Sequence, residues 1–441
     1  MPPVLNLKPE EVDTNEKRSK YTVSVIGCGN KGIAYGNAFA DAGFRVICTD
    51  ADPSVIKKVS KGKTDNSQLQ SEAKLKSYIT SGQISVSSER KKAVSQSDIV
   101  LIAIGPKVDE QKKTDYSQIV SACKQVGSGL QRGALVIYCG VAGIGLMDGA
   151  LKETLENTSG LKVGPDFGLA YSPILKAEAS VGDAELNVAA TEQTSLSAAL
   201  TILRTITKKV KEINDIKLAE TAALFTAARQ DASRALANEL AVFCEEAKTD
   251  YFKVLKLLDL NDPCFMPSIV EEENRNEAYL LLDSAENLNA KLRLPALARQ
   301  INEDMVKHAV NLTQDALRGG GKPLRRARVA VLGSADPASA SGVFVKMIEQ
   351  KGAKPTLYDP ASKLATQEWR VVKTSLNEAV EGTDCIVISV GQEQIKNLNL
   401  KKLKPLMKTP CVIVDLTGVF EPKKVEAEGF IYFGLGRGTD K

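Results

Sequence analysis

Six residues near the amino terminus hold the most specific chemistry in this chain. Gly27-Cys28-Gly29-Asn30-Lys31-Gly32 has the G-x-G-x-x-G spacing. The first glycine permits a tight turn. The second lets backbone approach a pyrophosphate, and the third lets a helix pack closely on a strand. A helix starting there aims its amide dipoles at the phosphates. Asp50 ends the next apolar run, where its carboxylate can accept hydrogen bonds from adenosine ribose hydroxyls. A 2′-phosphate would be repelled, so NAD is favoured over NADP, although Lys57 and Lys58 soften that preference. The expected cofactor set is Gly27, Gly29, Asn30, Lys31, Gly32 and Asp50.

Other reactive side chains are informative by their scarcity. The single histidine, His308, leaves no room for a serine–histidine triad unless it is the base, and it argues against zinc. Eight cysteines are scattered with no CxxC pair. Most lie in apolar runs, which fits buried free thiols in a reducing compartment.

The elements that must position the glycine loop read clearly. Tyr21–Ile26 is a β-branched run, Ile33–Ala42 a helix, and Phe44–Thr49 a second strand. Asp98–Ile104 and Gly133–Tyr138 are further strands after polar or helical stretches. This alternation predicts βαβ units and a parallel sheet. From Leu196 to Leu317 the pattern turns helical, with long alanine/leucine periodicity over Leu218–Ala247 and Glu277–Leu317. Helices of that length suit a dimer core or an intrachain bundle. A glycine-rich joint follows at Arg318–Pro323. Ala327–Leu332, Lys354–Leu357, Asp384–Val390 and Cys411–Leu416 then predict a second α/β domain. Its first turn, Gly333-Ser334-Ala335-Asp336, lacks the three-glycine fingerprint.

The expected fold class is α/β: two Rossmann-like doubly wound domains joined by a long central helical region. The expected segments are a mobile tail over 1–20, an NAD-binding domain over 21–195, a helical dimerisation region over 196–317, a linker over 318–326 and an α/β domain over 327–441. With 441 residues, several cores are needed. The net charge of +4 is spread along the chain and does not point to nucleic acid. No apolar run reaches the ~20 residues that span a bilayer, and the first twenty residues lack a signal-peptide core. A cytoplasmic protein is expected.

Several stretches together resemble the UDP-glucose/GDP-mannose dehydrogenase family, especially its UDP-N-acetylmannosamine dehydrogenase branch. They include the glycine loop with Asp50-Ala51-Asp52-Pro53, Ser159–Phe167 leading to Tyr171-Ser172-Pro173, and Asp231–Leu240. Ala298–Met305 with His308, Tyr358-Asp359-Pro360, Val414–Phe420 and Phe433–Gly438 extend the likeness over nearly the whole chain. The resemblance implies NAD in the first domain, a nucleotide sugar held by the second, and a homodimer formed on the long helix. It also implies oxidation of a sugar C6 alcohol to a carboxylate with two NAD, a cysteine thiol trapping the aldehyde. Polysaccharide biosynthesis would be its setting.

The catalytic positions of that pattern are changed. The family's lysine and asparagine fall on Ala223 and Ala227. Its Pro-Glu becomes Pro173-Ile174, and its Val-Pro-Thr-Pro becomes Ile104-Gly105-Pro106-Lys107. The nucleophile position falls on Glu273 and the following aspartate on Glu277. Cys264, in Asp262-Pro263-Cys264-Phe265, stands in another register, and its acidic neighbours disfavour a thiolate. Polar residues left near the expected cleft are Lys107, Asp109, Lys176, Glu178, Arg229, Asp231, Asn238 and Glu277. The catalytic candidates are Lys176, Glu277 and Cys264. The reading is a nucleotide-sugar dehydrogenase-like oxidoreductase with altered, two-electron chemistry. The alternative is an inactive NAD-binding sensor or partner subunit.

Overall fold

The β-branched runs bury both faces, as strands in the middle of a parallel sheet must. Val23, Val25, Ile26 and all of Ile99–Ile102 are fully buried. Each such side chain contributes about 1.5–3 kcal/mol when fully withdrawn from water. The computed structural model describes residues 2–64, 69–109, 111–173, 181–269, 275–337, 339–359, 371–373, 375–391 and 393–438. They fall into two units: Met1–Ala227 with Asn276–Ala290, and Ala228–Arg275 with Lys291–Lys441.

The first unit is built on strands β1 (Thr22–Ile26), β2 (Arg45–Thr49), β3 (Ile84–Ser87) and β4 (Ile99–Ile102). A short hairpin, β5 (Lys107–Val108) and β6 (Thr114–Asp115), stands apart. Then come β7 (Leu135–Tyr138), β8 (Gly168–Tyr171), β9 (Leu186–Ala190) and β10 (Val210–Ile213). The sheet order is β10-β9-β8-β7-β4-β1-β2-β3. All neighbours are parallel except β8 and β9. The run from β3 to β8 is the doubly wound order, whose direction of growth reverses between β1 and β4. Val25 pairs with Cys48 on one side and Leu101 on the other.

Two expectations need correction here. The first residues are not a mobile tail: Val4, Leu7 and Val12 are buried in the first core, and the Leu5 amide donates to the Gly133 carbonyl at 3.2 Å. Their apolar spacing is too sparse to read as an element, yet it covers one face of the sheet. Nor does the first sheet stop at residue 195. The helix Gln193–Leu203 and β10 belong to it, β10 pairing with β9. Lys-rich flanks hide β10 as an edge strand.

The helical stretch holds a long helix, Ile216–Glu246, then Tyr251–Leu257, Arg275–Asn287 and Arg293–Gly319. The periodic run expected over Glu277–Leu317 is thus two helices, broken where Asn289 takes a positive φ of 54°. The second unit carries the sheet β12-β11-β13-β14-β15, all parallel. Its strands are β11 (Arg328–Leu332), β12 (Lys354–Tyr358), β13 (Cys385–Ile388), β14 (Val412–Asp415) and β15 (Ile431–Gly434).

Candidate functional site

The glycine loop leaves β1 at the switch point and enters the helix Asn30–Asp41. Gly27 has φ +99°, a region L side chains avoid. A Cβ there would lie 2.9 Å from Ile104, so the ends of β1 and β4 close on each other. A Cβ on Gly32 would sit 1.8 Å from the Gly27 carbonyl oxygen, which ties the helix to the strand. At Gly29 nothing stands within 4 Å of such a Cβ, leaving open space over the backbone. Gly29 is also the N-cap, and no side chain caps the helix. An uncapped helix start with open space above it suits a pyrophosphate. The residues present fit a dinucleotide.

Asp50 sits at the end of β2 and braces this loop. One oxygen accepts from the Cys28 amide at 2.7 Å and the other from the Asp52 amide at 3.0 Å. With lone pairs remaining, the carboxylate can still accept from a ribose. It lines a pocket of about 210 Å³ with Pro53, Ile56, Ser88, Arg90 and Gln125. Apolar walls and polar corners suit an adenosine. The Cys28 thiol is hydrogen-bonded with Cys48 and buried, which together push it far above the usual thiol range.

Lys31, in the first turn of the loop helix, meets Glu277 from the helix Arg275–Asn287. Their ion pair is 2.9 Å long, with side-chain exposures of 26% and 12%. Two candidates named separately from the sequence are therefore one group. Nothing local could have paired them, since they stand 246 positions apart in sequence. Around them lie the ends of β7 and β8. Tyr138 and Tyr171 stack with ring centroids 6.1 Å apart. The Tyr138 hydroxyl is buried without a hydrogen-bond partner among the described residues. Burial pushes the Cys139 thiol up to about 12. Glu220, fully buried, accepts from the Gly145 and Met147 amides at 2.7 and 3.0 Å and braces the segment after β7. Burial raises its carboxyl above the usual range.

The other candidates scatter. Lys176, Glu178 and Glu273 lie outside the described residues. Asp109 accepts from the Gln111 and Lys113 amides and shapes a turn. Lys107 and Arg229 are exposed. Asp231 pairs with the buried Arg299 and accepts from Asn302, while Asn238 donates to Asn302 at 2.9 Å. That network fastens helix to helix. His308 meets Glu245 at 2.9 Å, and Glu245 also accepts from the Gly436 amide. Ala223 and Ala227 are buried and offer no polar group. All eight cysteines are free, and Cys264 alone is not buried. Partial burial and then Asp262 still hold its thiol above the ordinary value.

Arg90 was not expected. It begins the short helix Arg90–Ser95 and is buried, lining the same pocket as Asp50. The only hint was a Ser-Ser-Glu-Arg turn after a β-like run.

The second unit repeats the first in outline. The Ala335 amide donates to Asp359 at 3.0 Å, as Cys28 does to Asp50. Here, however, Ser339 caps the helix Ala340–Gln350 by accepting from the Gly342 amide. At Gly333 a Cβ would collide with the Ser389 and Ser341 hydroxyls. The open space at Gly29 in the first loop is not repeated at Gly333. Asp415, at the end of β14, accepts from the Thr417, Gly418 and Phe420 amides and orders the turn there.

Comparison with known proteins agrees with this division. Residues 21–188 match the NAD binding domain of the UDP-glucose/GDP-mannose dehydrogenase family, and residues 338–422 match its UDP binding domain. The chain is 26% identical over 434 residues to a UDP-N-acetyl-D-mannosamine dehydrogenase of Pyrococcus horikoshii, covering 94% of this chain and 99% of that one. It is 26% identical over 448 residues to a UDP-glucose 6-dehydrogenase of Rhizobium meliloti, covering 94% and 99%. The solved structure of the Pyrococcus horikoshii UDP-D-ManNAc dehydrogenase superposes with TM-score 0.78 at 25% identity, covering 95% and 100%. With both family domains matched in order around a glycine loop shaped for NAD, the chain belongs to the UDP-glucose/GDP-mannose dehydrogenase family.

Proposed function

We propose that the protein oxidises the alcohol of a UDP- or GDP-sugar with NAD by one hydride transfer, stopping at the aldehyde. The observation that carries this reading is the Lys31–Glu277 pair, 2.9 Å long, in the first turn of the cofactor helix. NAD, when bound, supplies the hydride acceptor. Glu277 takes the hydroxyl proton, and the Lys31 ammonium stabilises the developing alkoxide. The alcohol thus loses one hydride and one proton and becomes a carbonyl, with one NADH formed.

A second oxidation through a thiohemiacetal needs an accessible thiolate. Seven of the eight thiols are buried, and partial burial and then Asp262 push the Cys264 thiol above its ordinary value. The match of residues 338–422 to the UDP binding domain supports a sugar nucleotide held by the second unit. Eight free thiols support a reducing, cytoplasmic setting. The protein acts as a homodimer through the exposed apolar face of its long helix.

The test mixes protein, NAD and a panel of UDP- and GDP-sugars, following NADH and trapping aldehyde. One NADH per sugar is expected. Glu277→Gln should lower kcat by about 10²–10⁴ with NAD affinity little changed. Full activity in that variant would remove Glu277 from the chemistry.

A further inference from the structure

The segment that brings Glu277 to the cofactor loop is an excursion of the chain. Residues 276–290 belong to the first unit, while the chain on either side belongs to the second. Leu280 and Leu281 anchor it by burial. Burial is non-directional, however, and does not set where a carboxylate points.

The hairpin after β4 supplies the direction. Asp109 accepts from the Gln111 and Lys113 amides at 2.9 and 2.8 Å, which fixes the turn. Lys112 takes φ +65° there. The alternation of a strand is thereby broken, and two consecutive lysines reach the same helix. The Lys112 ammonium stands 5.6 Å from the centroid of the Tyr279 ring. Lys113 pairs with Glu286 and, at 3.7 Å, with Asp283. Tyr279, Asp283 and Glu286 share one face of the helix Arg275–Asn287 by their i, i+4 and i+7 spacing. At about 100° per residue, that face lies roughly opposite Glu277. The hairpin therefore grips the helix from behind, while Lys31 meets Glu277 in front. Just past the hairpin, the Tyr116 hydroxyl accepts from the Gly143 amide. A Cβ on Gly143 would collide with that hydroxyl and reach Ser284 at 3.4 Å. Hairpin, helix and the segment after β7 thus meet at one point.

We infer that the Lys107–Asp115 hairpin is a strap that seats Glu277 against Lys31, with Lys112 and Lys113 as positioning residues for the hydride transfer. Both act through the helix, so their loss displaces Glu277 and leaves the glycine loop intact. A misplacement of about 1 Å in a reacting group can cost on the order of 100-fold in rate. The inference rests on the reading of Glu277 as the base.

The double variant Lys112→Met with Lys113→Met of the full chain tests it, by hydrogen exchange, NAD titration and turnover of the UDP- and GDP-sugar panel. Amides of residues 277–287 should exchange about tenfold faster or more, and those of the helix Asn30–Asp41 should not change. kcat should fall about tenfold or more, with the NAD dissociation constant altered less than about threefold. Melting should shift by less than about 3 °C, because the Lys113 pairs are exposed. Lys113→Arg alone keeps the charge and should keep full turnover. Salt at about 0.5 M should reproduce the loss in the unaltered protein and add little to the double variant. Unchanged exchange over residues 277–287 in the double variant would overturn the proposal. So would equal falls in kcat and NAD affinity, which mark a general loosening of the unit. Full turnover by Glu277→Gln would instead strike the proposed chemistry, and the exchange result would still decide the strap.

Discussion

The three loop glycines have different reasons to be glycine, and substitution should separate them. Gly32→Ala puts a methyl 1.8 Å from the Gly27 carbonyl oxygen. Backbone must move, so a loss of about 1–3 kcal/mol in stability is expected together with lost NAD binding. Gly29→Ala meets open space. Stability should stay within about 0.5 kcal/mol while NAD affinity falls, because the methyl stands where backbone must approach the pyrophosphate. Denaturant melts and NAD titration of both variants check this, and equal melts would contradict it. These roles were legible because G-x-G-x-x-G is a local pattern with a local geometry. The pairing of Lys31 with Glu277 was not, since each looks like an ordinary surface charge until the fold brings helix Arg275–Asn287 to the loop. Arg90 stayed hidden for the opposite reason: a buried arginine at the start of a six-residue helix leaves no periodic trace.

Among elements, the strands read best. Expected boundaries for β1, β2, β4, β7 and four strands of the second sheet fall within a few residues of those observed, because buried parallel strands must be continuously apolar. β10, with sequence Val-Lys-Glu-Ile, breaks that rule as an edge strand and was missed. The long helix offers a different inference. Leu236, Leu240 and Phe243 recur at helical spacing, and they are 49%, 39% and 66% exposed. A stripe this apolar suits a partner. Leu240→Asp with Phe243→Asp should convert a dimer to a monomer by analytical ultracentrifugation. A monomeric parent protein would contradict the dimer.

The turn into β11 carries a pH dependence. Asp384 binds Lys322 at 2.9 Å and the Arg328 amide at 2.8 Å. Burial pushes its carboxyl up, but the Arg328 amide and Lys322 pull it down further, so the net value lies below the usual 3.8. A carboxyl depressed in the folded state contributes stability above that value and loses it as pH falls through the folded one. Asp384→Asn should therefore flatten the fall of melting temperature below about pH 4. An unchanged acid limb would remove Asp384 from that balance. Asp384→Ala, which strands the Arg328 amide, should cost about 1–3 kcal/mol by denaturant melts.

At the scale of the whole molecule, two Rossmann-like units in one chain were readable from alternating strands and helices. Which distant segments join each unit was not. Residues 276–290 belong to the first unit although the chain has by then entered the second. That return delivers Glu277 to the cofactor loop, and periodicity says nothing of it. The same contrast runs through the site: the glycine loop is announced locally, while the Lys31–Glu277 pair is assembled from afar. NADH formed per sugar consumed tests the central claim most directly. One NADH with a trapped aldehyde, unaffected by Cys264→Ser and lost with Glu277→Gln, is the predicted result. Two NADH per sugar with a carboxylate product, abolished by Cys264→Ser, would contradict it.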